Sequence, residues 1–177
     1  GYRAIQATQQ QARDGKPFDY FFQRPTPLAP QSQTFEAAGR FDFEGNELEP
    51  LDEDAVRTAA RALKAKDVNS IAVVYLFSYM NPSHEQRARD LILEEWPDAH
   101  VSLSSDVLPR IREWARMSTT LLNAYLEPVL VHYIGDLSDG LDYGGVETQQ
   151  RFLMQSNGGG MPFKAAVAGA TTVHTLF

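Results

Sequence analysis

Residues 154–162 read Met-Gln-Ser-Asn-Gly-Gly-Gly-Met-Pro, three consecutive glycines behind the apolar run Phe152-Leu153-Met154. Glycine permits positive-φ turns and lets backbone N–H groups approach an anion closely. The loop could therefore cradle a phosphate, shape a substrate pocket, or serve as a plain turn. No lysine follows it, so it is not a P-loop, and it lacks the G-x-G-x-x-G order. The residues alone favour a plain turn between a strand and a helix.

A second constellation is Arg116 followed by the hydroxyls of Ser118, Thr119 and Thr120. A guanidinium and hydroxyls at a helix N-terminus could bind a carboxylate or phosphate. The competing reading is helix capping plus a structural ion pair. Asp106 and Glu113 could form a carboxylate pair, but Pro109 lies between them and their spacing fixes no distance. The four histidines, His84, His100, His132 and His174, show no helical i, i+3 or i, i+4 pairing, so metal binding has no support. His84 is expected on the surface, in the first turn of a helix. There is no G-x-S-x-G elbow for a serine nucleophile. The absence of cysteine excludes a thiolate site or a disulfide framework.

The chain has 177 residues, 43% of them apolar, which suits one domain or a pair of small lobes. Its net charge of −7, with no basic cluster beyond Arg110, Arg112 and Arg116, argues against nucleic acid as a partner. No apolar stretch reaches the ~20 residues of a membrane span, and the polar N-terminus is no signal peptide. Zero cysteines fit a reducing cytoplasm. Gly1 in place of Met, and an ending in the apolar Val-His-Thr-Leu-Phe, predict a segment of a longer protein.

These residues need elements to position them. Residues 1–33 are proline-punctuated and aromatic, which suits extended chain packed on something. Phe35, Phe41 and Phe43 around Glu44-Gly45-Asn46-Glu47 predict a hairpin over 34–50. Asp52 should cap a helix carrying Val56, Ala59, Ala60 and Leu63 inward and ending near Asp67. The run Ile71–Phe77 predicts a strand buried on both faces of a parallel sheet. Ser83-His84-Glu85-Gln86 reads as a capping box opening a helix that buries Ala88, Leu91 and Ile92 and stops before Pro97. Val101 and Leu103 then complete a right-handed βαβ unit over 70–104. A helix over about 118–137 has an unusually broad apolar face, predicting burial on most sides or a place between two lobes, with a kink at Pro128. Strand 152–154, a short helix near 163–168 and a strand at 172–177 follow. In an open α/β sheet ligands bind beyond the carboxyl ends of the strands. Were the three strands parallel neighbours, residues 78–81, 104–106 and 155–158 would share one rim.

Four motifs in order carry a resemblance: S-Y-x-N-P-x-H-E at 78–85, S-S-x-V-L-P-x-I-R-E at 104–113, S-T-T-x-x-N-A-Y at 118–125 and M-Q-S-N-G-G at 154–159. With Phe-Phe-Gln-Arg-Pro-Thr-Pro-Leu-Ala-Pro at 21–30, they resemble the hydantoinase A/5-oxoprolinase family over nearly the whole chain. The resemblance implies an α/β fold made of ribonuclease-H-like pieces, of the actin, sugar-kinase and Hsp70 type, with ATP and Mg in the cleft. It implies an enzyme that opens cyclic amides by phosphorylating the carbonyl oxygen. The alternatives it leaves are the ATP-binding subunit of an acetone- or acetophenone-type carboxylase, acting on a ketone, and a non-catalytic binding or assembly module. A second subunit of the hydantoinase B type is an implied partner. Residues 1–116 would close the first lobe, 117–145 would form a linking helix and loop, and 146–177 would begin the second lobe. Ser156, Asn157, Gly158 and Gly159 match the motif as candidate cofactor-binding residues. Arg116, Ser118, Thr119 and Asn123 match as cleft candidates. The family's Asp-Gly-Gly-Thr phosphate loop is absent from the chain, so the 177 residues alone are expected not to hydrolyse ATP.

Overall fold

The computed structural model describes residues 27–148, 150–154 and 158–167. The aromatic cluster before Pro25, the loop residues Gln155, Ser156 and Asn157, and the strand expected at 172–177 lie outside the described residues.

The expected hairpin is present as β1 (Arg40–Phe41) and β2 (Glu47–Glu49), paired antiparallel. Asp42 closes its turn by accepting from the N–H groups of Glu44 and Asn46. Helix α1 (Glu53–Lys64) starts where Asp52 accepts from the Ala55 N–H at 2.9 Å, and it buries Val56, Ala60 and Leu63. Then come β3 (Ser70–Val73), α2 (Ser83–Glu95) and β4 (His100–Leu103), with β3 and β4 parallel. This is the expected βαβ unit. A single-turn helix α3 (Ser104–Val107) leads to the long helix α4 (Glu113–Tyr143), longer at both ends than its apolar pattern predicted. The chain continues as β5 (Phe152–Met154), β6 (Gly160–Pro162) and α5 (Phe163–Val167).

The first unit has three layers. Alternation along β3 sends Ile71 and Val73 to one face, where they meet Val56, Ala60 and Leu63 of α1 and Ala88, Leu91 and Ile92 of α2. Ala72 and its register partner Ser102 belong to the opposite face, covered by α4. Across the seam of α1 and α2, Arg57 pairs with Glu94, Arg61 with Glu95 and Arg87 with Glu53. The Arg61 hydrogen bond holds the Glu95 carboxyl below its ordinary range. These pairs are largely exposed, so they align the helices more than they stabilise them. A second, smaller core joins Leu130 and Ile134 of α4 to Met161 and Ala166.

Several expectations are corrected. β5 pairs with β6 in a separate antiparallel hairpin, so it does not share a sheet or a rim with β3 and β4. Gly160 begins β6, so a strand stands between the glycines and the helix at Phe163. α4 is not buried on most sides: Tyr125, Val129 and Tyr133 form an exposed stripe. α2 opens without a capping box: Pro82 stands at the N-cap position, Ser83 is already helical, and Asn81 accepts from the Ser83 N–H.

His84 is buried, against the surface position expected for it. Its ring stacks on Phe41 with centroids 4.1 Å apart, and Nε2 lies 2.7 Å from a Glu47 carboxylate oxygen. Helix α2 is thereby tied to the hairpin. A side chain at Gly39 would crowd this fit. Gly39 has φ +150°, and an added Cβ would lie 3.1 Å from His84 Nδ1 and 3.3 Å from the Leu51 backbone. Gly39→Ala is expected to cost about 1–3 kcal/mol, measured by chemical denaturation, with hairpin amides exchanging first.

Candidate functional site

The carboxyl ends of β3 and β4 are held by two fully buried charged side chains. Glu85 of α2 accepts from the Tyr75 N–H at 2.8 Å, the Ser104 hydroxyl at 2.6 Å and the Ser105 N–H at 2.8 Å. Arg116 of α4 donates from Nε to Ser104 Oγ at 3.1 Å, from Nη1 to the Arg110 carbonyl at 2.9 Å and from Nη2 to the Tyr75 carbonyl at 2.8 Å. Ser104 gives its one proton to the carboxylate and accepts from the guanidinium. The Ser78 hydroxyl, 3.0 Å from Ser104 Oγ, must then be the donor in that contact. Tyr75 is shared in the same way, its N–H to the acid and its carbonyl to the base.

This sharing explains where β3 ends. The apolar run predicted a strand through Phe77, but both peptide groups of Tyr75 are claimed by side chains, and Phe77 turns into positive φ at 60°. Burial, and secondarily the charges of Glu85 and Asp52, push the Tyr75 phenol up to about 12. It stays protonated across the physiological range. The Arg116 guanidinium also lies 5.5 Å from the Tyr79 ring centroid.

A second buried cluster sits about two to three turns further along α4. The Ser102 hydroxyl donates to Glu127 at 2.7 Å, and Asn123 Nδ2 donates to Ser102 Oγ at 3.1 Å and to the same carboxylate at 3.3 Å. Thr120 returns its hydroxyl to the Arg116 carbonyl. Of the sequence candidates, Arg116 and Asn123 thus face the sheet through satisfied hydrogen bonds, which suits positioning. Ser118 and Thr119 are half-buried on the same first turns. Asp106 is exposed, 3.8 Å from Arg89, and Glu113 is exposed.

Gly158 and Gly159 belong to the second unit. The core of that unit meets α4 at Leu130 and Ile134, about 20 Å along the helix from Arg116 at 1.5 Å per residue. Gly158 has φ +85°, yet a Cβ there would meet nothing within 4 Å. Backbone conformation, and no tight cradle, accounts for glycine at that position. Among the described residues no cluster of His, Asp or Glu could hold a metal ion. No described helix is long and apolar enough to cross a membrane.

The family profile for the hydantoinase/oxoprolinase N-terminal region matches residues 1–96, and the hydantoinase/oxoprolinase profile matches residues 116–174. The chain belongs to the hydantoinase/oxoprolinase family. The caprolactamase subunit alpha of Pseudomonas jessenii is 36% identical over 84% of this chain and 21% of its own length. The solved ATP-dependent caprolactamase from that organism superposes with a TM-score of 0.79 at 31% identity, covering 97% of this chain and 25% of that one. A nucleotide-free acetone carboxylase structure superposes at 0.74 with 32% identity, over 86% of this chain and 22% of that one. The 5-oxoprolinase of Saccharomyces cerevisiae is 40% identical over 61% of this chain and 8% of its own length. This hydantoinase/oxoprolinase chain spans about a fifth of the length of the first curated relatives it matches. Some relatives are named as subunits, among them caprolactamase subunit alpha and acetone carboxylase beta subunit.

The motif residues Glu85, Ser104, Arg116 and Asn123 are legible in this family's pattern, and the structure gathers them from α2, α3 and α4 against the β3–β4 sheet. Tyr75 and Glu127 carried no signal in the sequence. One acts through its backbone, and the other is an ordinary-looking acid on a helix.

Proposed function

We propose that the complete protein is an ATP-dependent enzyme that opens cyclic amides. The observation that carries this reading is the likeness, at 31% identity and TM-score 0.79, to a protein described as an ATP-dependent caprolactamase. The 5-oxoprolinase similarity supports the same substrate class, since both named substrates are lactams. A lactam carbon is a poor electrophile because the nitrogen lone pair is delocalised onto oxygen. Transfer of the ATP γ-phosphoryl group to that oxygen, with ADP leaving, removes the delocalisation. Water then adds at carbon, the C–N bond breaks, and the nitrogen takes a proton. A second water releases phosphate, giving the amino acid, ADP and phosphate.

On this reading the three-layer unit is a piece of a ribonuclease-H-like first lobe, α4 links the lobes over 117–145, and residues 146–177 begin the second. Ser156, Asn157, Gly158 and Gly159 would line the cleft, with Ser118 and Thr119 facing it. Arg116 and Asn123 would hold the helix that carries those hydroxyls. ATP and Mg would be bound mainly by polypeptide outside this chain. The purified complete protein, with its second subunit where one co-purifies, is expected to open a lactam with one ADP formed per ring. Ring opening at the same rate without ATP would overturn the proposal.

The acetone carboxylase likeness favours a second reading, an ATP-using subunit that activates a ketone for carboxylation. Bicarbonate-dependent ATP use with a ketone, and none with a lactam, would select it. Normal turnover but weakened subunit association in Ser156→Ala, Asn157→Ala would instead favour an assembly role for the loop.

A further inference from the structure

We infer that Arg116 is a positioning residue for the reaction: its guanidinium locks a strained turn at 110–112, and that turn sets where the first turns of α4 stand. This rests on the reading above that those first turns, with Ser118 and Thr119, face the cleft. Three described residues other than glycine have positive φ. Asp67, at φ 55°, closes the turn after α1, where aspartate tolerates such a backbone. Phe77 at 60° and Arg112 at 83° differ from it, since bulky side chains rarely enter this region. Each lies two residues beyond a carbonyl that Arg116 holds. Nη2 donates to the Tyr75 carbonyl at 2.8 Å, and Nη1 donates to the Arg110 carbonyl at 2.9 Å.

At Arg112 the companion ψ is 94°, outside the left-handed helical well. A backbone of this kind persists only where its surroundings over-determine it, and such residues cluster at functional sites. Burial does not hold Arg112 in place, because Arg110, Ile111 and Arg112 are all exposed, Ile111 at 72%. Arg116 holds it instead. Besides taking the Arg110 carbonyl through its side chain, Arg116 donates its own backbone N–H to the Arg112 carbonyl at 3.2 Å. The Arg110 N–H bonds back to the Leu108 carbonyl at 2.7 Å, across Pro109. One residue thus closes the turn and starts the helix. Its guanidinium is itself fixed in the interior by Ser104. Without that fork Arg112 is free to relax to negative φ, and the direction in which the chain enters α4 changes with it.

Two substitutions at Arg112 in the complete protein, with its second subunit where one co-purifies, separate backbone from side chain. Both remove the guanidinium and leave the buried network intact. Arg112→Gly admits the positive φ, whereas Arg112→Pro fixes φ near −65° and forbids it. ATP-dependent turnover, on lactam or ketone, should stay within about threefold of wild type in Arg112→Gly. In Arg112→Pro, kcat should fall about 30- to 100-fold with each KM within about threefold, because misplaced groups are missed in the transition state more than in the ground state. Arg116→Lys should show the same loss of kcat, and adding Arg112→Gly to it should return about tenfold, since glycine has no strain to release. A residue that only fills and neutralises the interior predicts no such rescue. Equal loss in Arg112→Gly and Arg112→Pro, or loss in neither, would overturn the inference, as would a folded Arg116→Lys that Arg112→Gly does not rescue. If Arg116→Lys does not fold, the glycine and proline pair decides alone. Absence of ATP-dependent turnover in the wild type would overturn the proposed function and this inference with it, whereas wild-type turnover with any of the adverse patterns overturns the inference alone.

Discussion

Glu85→Ala is expected to speed exchange of the slowest β3 and β4 amides by about 10²–10⁴-fold in native-state hydrogen exchange, equivalent to about 3–5 kcal/mol. The magnitude follows from what is left behind. Glu85 is 0% exposed, and its two oxygens accept from three donors. Truncation strands the buried N–H groups of Tyr75 and Ser105 without their acceptor. It also leaves the Arg116 guanidinium, 1% exposed, facing a serine hydroxyl that no longer hands its proton to an anion. Arg116→Met is expected to cost a similar amount from the other side, by removing the cation that balances a buried carboxylate. Arg116→Lys should recover little, because three separate acceptors are spanned by one planar fork that an ammonium cannot reproduce.

The double variant Glu85→Leu, Arg116→Met separates mutual compensation from simple loss of packing. With neither charge left unpaired, its cost should fall well below the sum of the two single changes. Strict additivity would show that the two groups, though both bonded to Ser104 and Tyr75, do not act as a unit.

Much of this arrangement was legible in the sequence, and the parts that were not have a common cause. Asp52, the βαβ unit and the inward set Ala88, Leu91 and Ile92 follow local patterns, and local patterns were enough to find them. The length of β3 failed because a run from Ile71 to Phe77 cannot reveal that side chains from two helices will claim the peptide groups of Tyr75. His84 was misplaced because the hairpin that covers it lies 37 residues upstream at Glu47. The broad apolar face on α4 suited either burial on most sides or a place between two lobes, and in this chain Tyr125, Val129 and Tyr133 are exposed. Ser118, Thr119, Gly158 and Gly159 stood out by residue type as well as by resemblance, and a ligand-facing role for them belongs to the proposal alone.

The second large effect is expected at Ile134. This side chain is 0% exposed and packs with Leu130, Met161 and Ala166, with Leu153 and Phe163 at the margin. Ile134→Ala should cost about 2–5 kcal/mol. In so small a cluster that is enough to release the β5–β6 hairpin from α4. The amides of Leu153 and Met161 should lose their protection. Those of Ile71 and Leu103 should not change, because Ile134 lies about 27 Å along the helix from Arg116 and shares no partner with the first core. His132→Ala, on an exposed side of the same turns, should stay within about 0.5 kcal/mol. If instead Ile134→Ala accelerates β3 and β4 to the same extent as β5 and β6, the two cores open together. α4 then transmits disruption along its length as a rigid rod, across Pro128, and a change at either end would be felt at the other.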